Sequence, residues 1–145
     1  MDTVLCSRLQ IFPGMSPDIN ILVQIGILIG LYVAVFSARR HKFDAHGAFI
    51  LAIVSINLGS IVRVMLPSAV RILSGVSPGG FTAFVAAHSL VGVAVEAVGA
   101  YIVVDWVYRR TTGACSKFAP WMRRLAPLWI LVTMSGAYMY YILNL

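Results

Sequence analysis

The amino-acid sequence predicts an all-α integral membrane protein, a four-helix bundle that forms one transmembrane domain over residues 1–145. Composition is the first observation behind this prediction. Of the 145 residues, 60% are hydrophobic and 11% are charged, whereas soluble domains have about 45–50% apolar and about 25% charged residues. The second observation is the mean hydropathy of +0.90. The third is the presence of four apolar stretches, each close to the ~20 residues of helix that cross a bilayer core.

The start of the first helix is the best-marked boundary. Ser16-Pro17-Asp18 supplies an N-cap, a proline at the first helical position and an acid in the first turn. Gly26 and Gly30 then form a GxxxG pattern, which predicts close packing of this helix. The four helices are predicted at residues 18–36, 48–66, 81–108 and 125–143.

The connection at residues 67–80 allows two interpretations. It forms a short amphipathic helix, or the second helix continues past a kink at Pro67. The residues before the first helix lack the apolar core of a cleavable signal peptide, so we expect no leader to be removed.

The basic residues predict an N-out/C-out topology in the cell membrane. Most of them fall in the connections that follow the first and third helices, and positively charged short loops stay in the cytoplasm. The same placement argues against nucleic-acid binding, because these residues flank apolar segments and form no separate basic surface. The inner group is Arg39, Arg40, Lys42, Arg109, Arg110, Lys117, Arg123 and Arg124, and the others are Arg8, Arg63 and Arg71.

Aromatic residues favour the same topology. Tryptophan and tyrosine concentrate where a helix crosses the membrane surface. We expect three tryptophans at the inner surface and three tyrosines at the outer one, namely Trp106, Trp121 and Trp129, and Tyr138, Tyr140 and Tyr141.

Ionisable side chains within the predicted helices are the main functional candidates, because charge is costly at membrane depth. They are Arg63 in the second helix and His88 and Glu96 in the third. His88, Gly92 and Glu96 are spaced four residues apart and therefore form one stripe, which we expect to face the second helix or a partner subunit. Two interpretations stay open. The gap at Gly92 receives a ligand, an ion or a helix, or His88 bonds a neighbouring helix while Glu96 is protonated or paired, for instance with Asn57.

Two aspartates have structural explanations. Asp105 precedes Arg109 by four residues, so the two side chains are expected to form an ion pair on the helix surface. Asp44 is expected to be the N-cap of the second helix.

Histidines at two depths raise the question of haem b, which four-helix membrane cytochromes hold between histidines of different helices. At 1.5 Å per residue, His46 lies roughly 30 Å from the outer turn and His88 about 10–12 Å from it. One iron therefore cannot bind both histidines. A second haem ligand would come from another chain or from a methionine, and the candidates are Met65, Met134 and Met139.

Copper or another metal is the second possibility for the histidines. His41 and His46 are five residues apart and do not share a helix face, so the pair alone predicts a metal site only weakly. The candidate metal ligands are His41, His46 and His88, with His46 and His88 also the candidates for contact with haem.

Sequence motifs of soluble catalysis do not occur in the chain. There is no nucleophile elbow, phosphate-binding glycine loop, CxxC or HExxH sequence. We therefore expect a protein that is not an enzyme.

Several short motifs resemble a known family. They are Ser-Pro-Asp-Ile-Asn at 16–20, the basic turn that leads from Arg39 to His46, AAHSL around His88, APLW at 126–129 and SGAY at 135–138. Together they resemble a small four-helix membrane family of unknown function that includes the YozB/CtaM-type haem-copper oxidase assembly factors. The resemblance extends over nearly the whole chain.

This resemblance implies functional roles for particular histidines. The family has a histidine at the start of the second helix, which corresponds to His46 or His41, and one in the third helix, which corresponds to His88. A third histidine is usual before the last helix. Here that segment, residues 117–121, has none, and Cys115 is the nearest soft ligand, which weakens the case for metal or haem handling.

Three functional classes remain open at this point. The first is a non-catalytic accessory subunit or assembly factor of a respiratory membrane complex, whose partners would be the lipid bilayer and other integral membrane subunits. The second is a haem b cytochrome subunit that exchanges electrons with quinone. The third is a purely structural subunit.

The predicted topology can be tested with the two cysteines. It places Cys6 outside and Cys115 inside, so no disulfide joins them. A membrane-impermeant thiol reagent on intact cells is expected to label Cys6 and spare Cys115, and permeabilised cells should label both. Labelling of Cys115 alone would reverse the orientation.

Overall fold

Four long helices make up the described parts of the computed structural model, which are residues 17–76, 79–109 and 112–144. The first is Pro17–Arg39, the third is Gly79–Arg109 and the fourth is Thr112–Asn144. The second consists of the α-helical segments Phe43–Ser60 and Leu66–Arg71, each followed by five π-helical residues, Ile61–Met65 and Ile72–Val76. Each of the four is long and apolar enough to cross a membrane. The prediction of an all-α four-helix bundle is confirmed.

The second helix continues past Pro67, which decides between the two interpretations of this connection. Proline has no amide hydrogen, and its ring crowds the carbonyl group four residues earlier, here that of Arg63. The helix accommodates Pro67 by widening to π geometry at Ile61–Met65. The apolar stretch Phe43–Ser74 has 32 residues, or about 48 Å of helix, and is therefore longer than the ~30 Å bilayer core.

The fourth helix starts earlier than predicted. It begins at Thr112 and not at residue 125, so the basic segment expected to be a loop is helical and includes Lys117 and Arg123. Pro120 and Pro127 both lie inside this helix. The prediction followed the apolar part of the helix alone, whereas the backbone stays helical as it leaves the apolar region. The Ser16 cap, Cys6, Arg8, Arg110 and the Cys115 side chain lie outside the described residues.

The turn between the first two helices is tight. Arg40 and His41 donate backbone hydrogen bonds to the end of the first helix, and His41 has a positive φ of 58°. The second helix then begins at Phe43, so Asp44 lies in its first turn and is not the N-cap that was predicted. An acid in the first turn still interacts favourably with the positive end of the helix dipole.

The apolar core lies between the centre of the bundle and the end that is predicted to be cytoplasmic, which we call the inner end, and it includes a tryptophan. Trp129 is 4% exposed and packs over Gly99, where an added Cβ would lie 3.0 Å from the indole ring. The expectation that Trp129 belongs to the inner aromatic belt is therefore wrong, whereas Trp121 is exposed as a belt residue would be. The core consists of Ile27, Leu31, Ile53, Val54, Val95, Val103 and Trp129.

The outer surface of the helices is largely apolar. Large side chains on all four helices are exposed, which indicates contact with lipid; examples are Ile29, Ile56, Leu90 and Leu131. At the predicted outer end, Tyr138 is exposed and meets Phe84 edge to face, with ring centroids 6.1 Å apart.

Glycines bring some of the helices close together. Gly30 packs against Ile53 of the second helix, where an added Cβ would lie 3.3 Å from that side chain, but Gly26 meets nothing within 4 Å. Of the two glycines in the GxxxG pattern, only Gly30 therefore makes the predicted close helix contact. A closer approach occurs at Gly47, because an added Cβ would overlap the indole ring of Trp106 on the third helix.

Replacement of Gly47 by alanine is expected to destabilise the bundle by about 1–3 kcal/mol, because it overpacks the contact with Trp106. Gly26→Ala is the matched control, since its surroundings are open. Unfolding in mixed detergent micelles measures both, and Trp106→Leu should restore much of the loss in Gly47→Ala. Equal effects of the two glycine substitutions would contradict this packing.

Candidate functional site

Five polar side chains from three helices meet within the membrane-spanning part of the bundle. We call them the Glu96 cluster, and they are Asn20 and Gln24 of the first helix, Asn57 and Ser60 of the second, and Glu96 of the third. All lie on otherwise apolar helices. Because polar groups in hydrocarbon must find partners, their mutual contacts fix which faces of the three helices meet.

The hydrogen bonds of the Glu96 cluster form a continuous chain. Ser60 Oγ donates to Asn20 Oδ1. The Gln24 amide donates to Ser60 Oγ and to Asn57 Oδ1, both at 3.3 Å. The Asn57 amide in turn donates to Glu96 Oε2 at 2.8 Å. The predicted pairing of Glu96 with Asn57 is therefore present.

The side chains of this hydrogen-bond series become more buried from Asn20 toward Glu96. Asn20 lies one turn inside the start of the first helix, and both it and Gln24 are partly exposed. Ser60, Asn57 and Glu96 are 2%, 8% and 4% exposed. The Glu96 cluster therefore runs from the end of the bundle that is predicted to be outer, which we call the outer end, to a buried position near its middle.

The carboxyl group of Glu96 is only half satisfied. Oε2 accepts the hydrogen bond from Asn57, whereas Oε1 is buried and has no hydrogen-bond partner in the part of the chain that the structure describes. A carboxylate with one amide donor and no counter-ion is costly at this depth. Oε1 is thus the atom of the site that can still gain a proton or accept a hydrogen bond.

The apolar core closes the cluster on its inner side. Val54 and Gly99 lie one turn inward of Asn57 and Glu96, and Trp129 packs across them. Further inward, the next buried polar side chain on the second helix is His46. It lies 11 residues, or about 16 Å, from Asn57.

His88 belongs to a different contact. Its Nδ1 is 2.8 Å from Ser135 Oγ on the fourth helix, and its ring packs against Gly136, where an added Cβ would lie 3.7 Å from Nε2. The expected stripe of His88, Gly92 and Glu96 therefore does not face one neighbour. An α-helix turns by about 100° per residue, so eight residues shift the facing direction by about 80°, enough to move the stripe from the fourth helix to the second.

His46 lies at the inner end of the bundle. Its Nδ1 is 2.9 Å from the carbonyl oxygen of Ala34. A small apolar pocket beside it has room for about one water molecule and is lined in part by Gly47, Trp106 and Met122. His41 is exposed in the turn and contacts Phe43 edge to face.

These positions do not fit a haem held by His46 and His88. His46 shares its pocket with Trp106, and His88 lies 18 residues from Trp106 on the same helix, so the two imidazoles differ in depth by about 27 Å. The Nδ1 atom of each imidazole already contacts a group on a neighbouring helix. Met134, a candidate second ligand, is exposed. Among the described residues, no group of three metal-ligating side chains forms.

Two other charged candidates are placed at the edges of the bundle. Arg63, which was predicted to be a buried functional residue, is exposed and lies in the π-helical turn Ile61–Met65. Asp105 pairs with Arg109 at 2.9 Å as predicted. Its second oxygen, Oδ2, has no partner in the described ranges.

Comparisons with family models, curated proteins and solved structures find no match to this chain. Its four apolar helices define it as a multi-pass helical membrane protein.

Three members of the Glu96 cluster, namely Asn20, Gln24 and Ser60, were not predicted as site residues. A signal for them exists in the sequence. Asn20 and Gln24 are four residues apart, and Asn57 and Ser60 are three apart, so each pair lies on one face of an apolar helix. Polar pairs of this spacing indicate helix contacts in membranes.

The coupling between Asn57 and Glu96 can be measured with a double-mutant cycle. Asn57→Ala and Glu96→Ala are expected to couple by about 1 kcal/mol in the free energy of unfolding, the usual strength of such bonds in membranes. His88→Ala with Glu96→Ala is the control pair and should be additive within about 0.5 kcal/mol, since the two share no partner. Unfolding in mixed micelles gives both values, and additive effects at Asn57 and Glu96 would refute the coupling.

Proposed function

We propose that the protein is a non-catalytic accessory subunit or assembly factor of a larger membrane complex, and that it binds its partner through the surface around Arg63. The observation that carries this proposal is an exposed arginine on a membrane-spanning helix with no partner among the described residues. A charge in such a position needs an acidic side chain, a phosphate or water.

The surroundings of Arg63 favour a protein partner. Its exposed neighbours are the apolar side chains of Leu58, Val62 and Leu66, so the guanidinium lies in an apolar surface. The turn is π-helical, and such turns are frequent at functional sites. Arg63 is one turn outward of Ser60, which suits a partner helix with an acidic residue near the outer membrane surface.

The resemblance to the oxidase assembly factors supports a respiratory complex as the partner. In this proposal His46 and His88 stabilise the fold and do not bind a cofactor, because each contacts a group on a neighbouring helix. The alternative of a cytochrome subunit would need a haem ligand other than the pair His46 and His88, because the two imidazoles differ in depth by about 27 Å.

A first test is purification from native membranes in mild detergent. We expect haem-containing subunits to co-purify and a stronger detergent to remove them, leaving this chain without a haem spectrum. Haem that remains with the isolated chain would support the cytochrome alternative and overturn the proposal.

Substitution of Arg63 tests the proposed surface. Arg63→Leu is expected to lower recovery of the partner about tenfold or more, because it leaves the partner's acidic group unpaired. Arg71→Leu is the matched control. It lies two turns further outward on the same helix and has a contact of its own within the chain, so recovery should be unchanged. If Arg63 served only to bind lipid headgroups, Arg63→Leu would leave recovery intact.

A further inference from the structure

We propose that Glu96 is an exchangeable proton site that is reached only from the end of the bundle where Asn20 lies. The site goes beyond the proposed binding surface, because it involves neither Arg63 nor a partner. The proposal is based on Glu96 Oε1, a buried oxygen without a hydrogen-bond partner among the described residues. It lies at the buried end of the series of hydrogen-bonded side chains that begins at the partly exposed Asn20.

A proton suits this site better than a metal ion does. A metal cation needs several oxygen ligands, but Oε1 has no polar partner in the described residues, and the amide oxygens of Asn20 and Asn57 each already accept a hydrogen bond. Asn20 Oδ1 accepts from Ser60, and Asn57 Oδ1 accepts from Gln24. A proton requires one oxygen only.

The side chains that the neighbouring helices present to Glu96 do not titrate. The first helix presents Asn20 and Gln24, the second presents Asn57 and Ser60, and the fourth has Trp129 one turn further inward. The charged and titratable groups that lie nearest in sequence or level are engaged elsewhere or exposed: Asp18 with Tyr140, His88 with Ser135, Asp105 with Arg109, and Arg63 at the surface. The charge of Glu96 is thus neutralised by protonation and not by an ion pair.

Access is one-sided because the two directions along the bundle differ. Toward the outer end, Asn57, Ser60, Gln24 and Asn20 offer polar atoms at successive levels, and the last two are partly exposed. Toward the inner end, the apolar core fills the space. A hydronium ion that enters at Asn20 gives its proton to the Glu96 carboxylate, which leaves a carboxylic acid and water, and release reverses the step.

The sequence provides a unique probe, since Glu96 is the only glutamate in the chain. Full-length protein made by cell-free synthesis with glutamate labelled with carbon-13 at Cδ, then placed in lipid vesicles, gives an infrared carbonyl band for this one carboxyl. We expect the band of a protonated acid, its loss at high pH, and its shift after transfer to heavy water. Absence of the acid band at every pH, or its loss on addition of sodium at constant pH, would overturn the proposal.

The direction of access is tested by the rate of exchange in heavy water. Gln24→Leu is expected to slow the exchange about tenfold or more, because it replaces the polar link between Asn20 and Asn57 with hydrocarbon. Ser37→Ala, a substitution of a buried residue at the inner end of the same helix, should leave the rate unchanged. Equal rates in wild type and Gln24→Leu, or equal slowing by both substitutions, would refute one-sided access.

Discussion

The hydrogen bond between Asn57 and Glu96 is the contact that fixes the relation of the second and third helices, and through Gln24 that of the first. In lipid, apolar faces have little preference for one another, because hydrocarbon chains solvate them equally well. A bond between two polar side chains at mid-membrane is different, since rotation of either helix would expose an amide or a carboxyl to lipid. The Glu96 cluster therefore determines which faces meet, and the close packing at Gly30, Gly47 and Gly99 follows from that alignment.

The two halves of the bundle are held together in different ways. In the outer half, side-chain hydrogen bonds connect the first three helices, and the fourth joins them through His88 with Ser135 and Tyr140 with Asp18. In the inner half, shape dominates, with Trp129 over Gly99 and Trp106 over Gly47. A tryptophan against a glycine gives a large contact area at short distance, which adds to the hydrogen bond between His46 and the Ala34 carbonyl group in this half.

Hydropathy and charge distribution were enough to predict the four helices, because membrane insertion depends on apolar length. They could not predict the ends, since Thr112–Asn144 stays helical where it is no longer apolar. Asn57 and Glu96 were predicted as partners because both are polar at one depth. The separate contact of His88 was missed, because spacing along one helix does not show how far a stripe rotates toward the next neighbour. Trp129 was misplaced because an aromatic residue suits a membrane surface and a core equally well.

The unequal lengths of the helices have a consequence for the way the protein matches its bilayer. Within the described ranges, the first helix has 23 residues, or about 35 Å, whereas the third and fourth have 31 and 33. Hydrophobic mismatch therefore acts first on the shortest helix, which has the least length to spare. That helix contributes Asn20 and Gln24, the partly exposed members of the Glu96 cluster. In a thicker membrane these two side chains therefore contact acyl chains, and in a thinner membrane they contact the headgroups. Bilayer thickness thus bears directly on how wet the approach to Glu96 is.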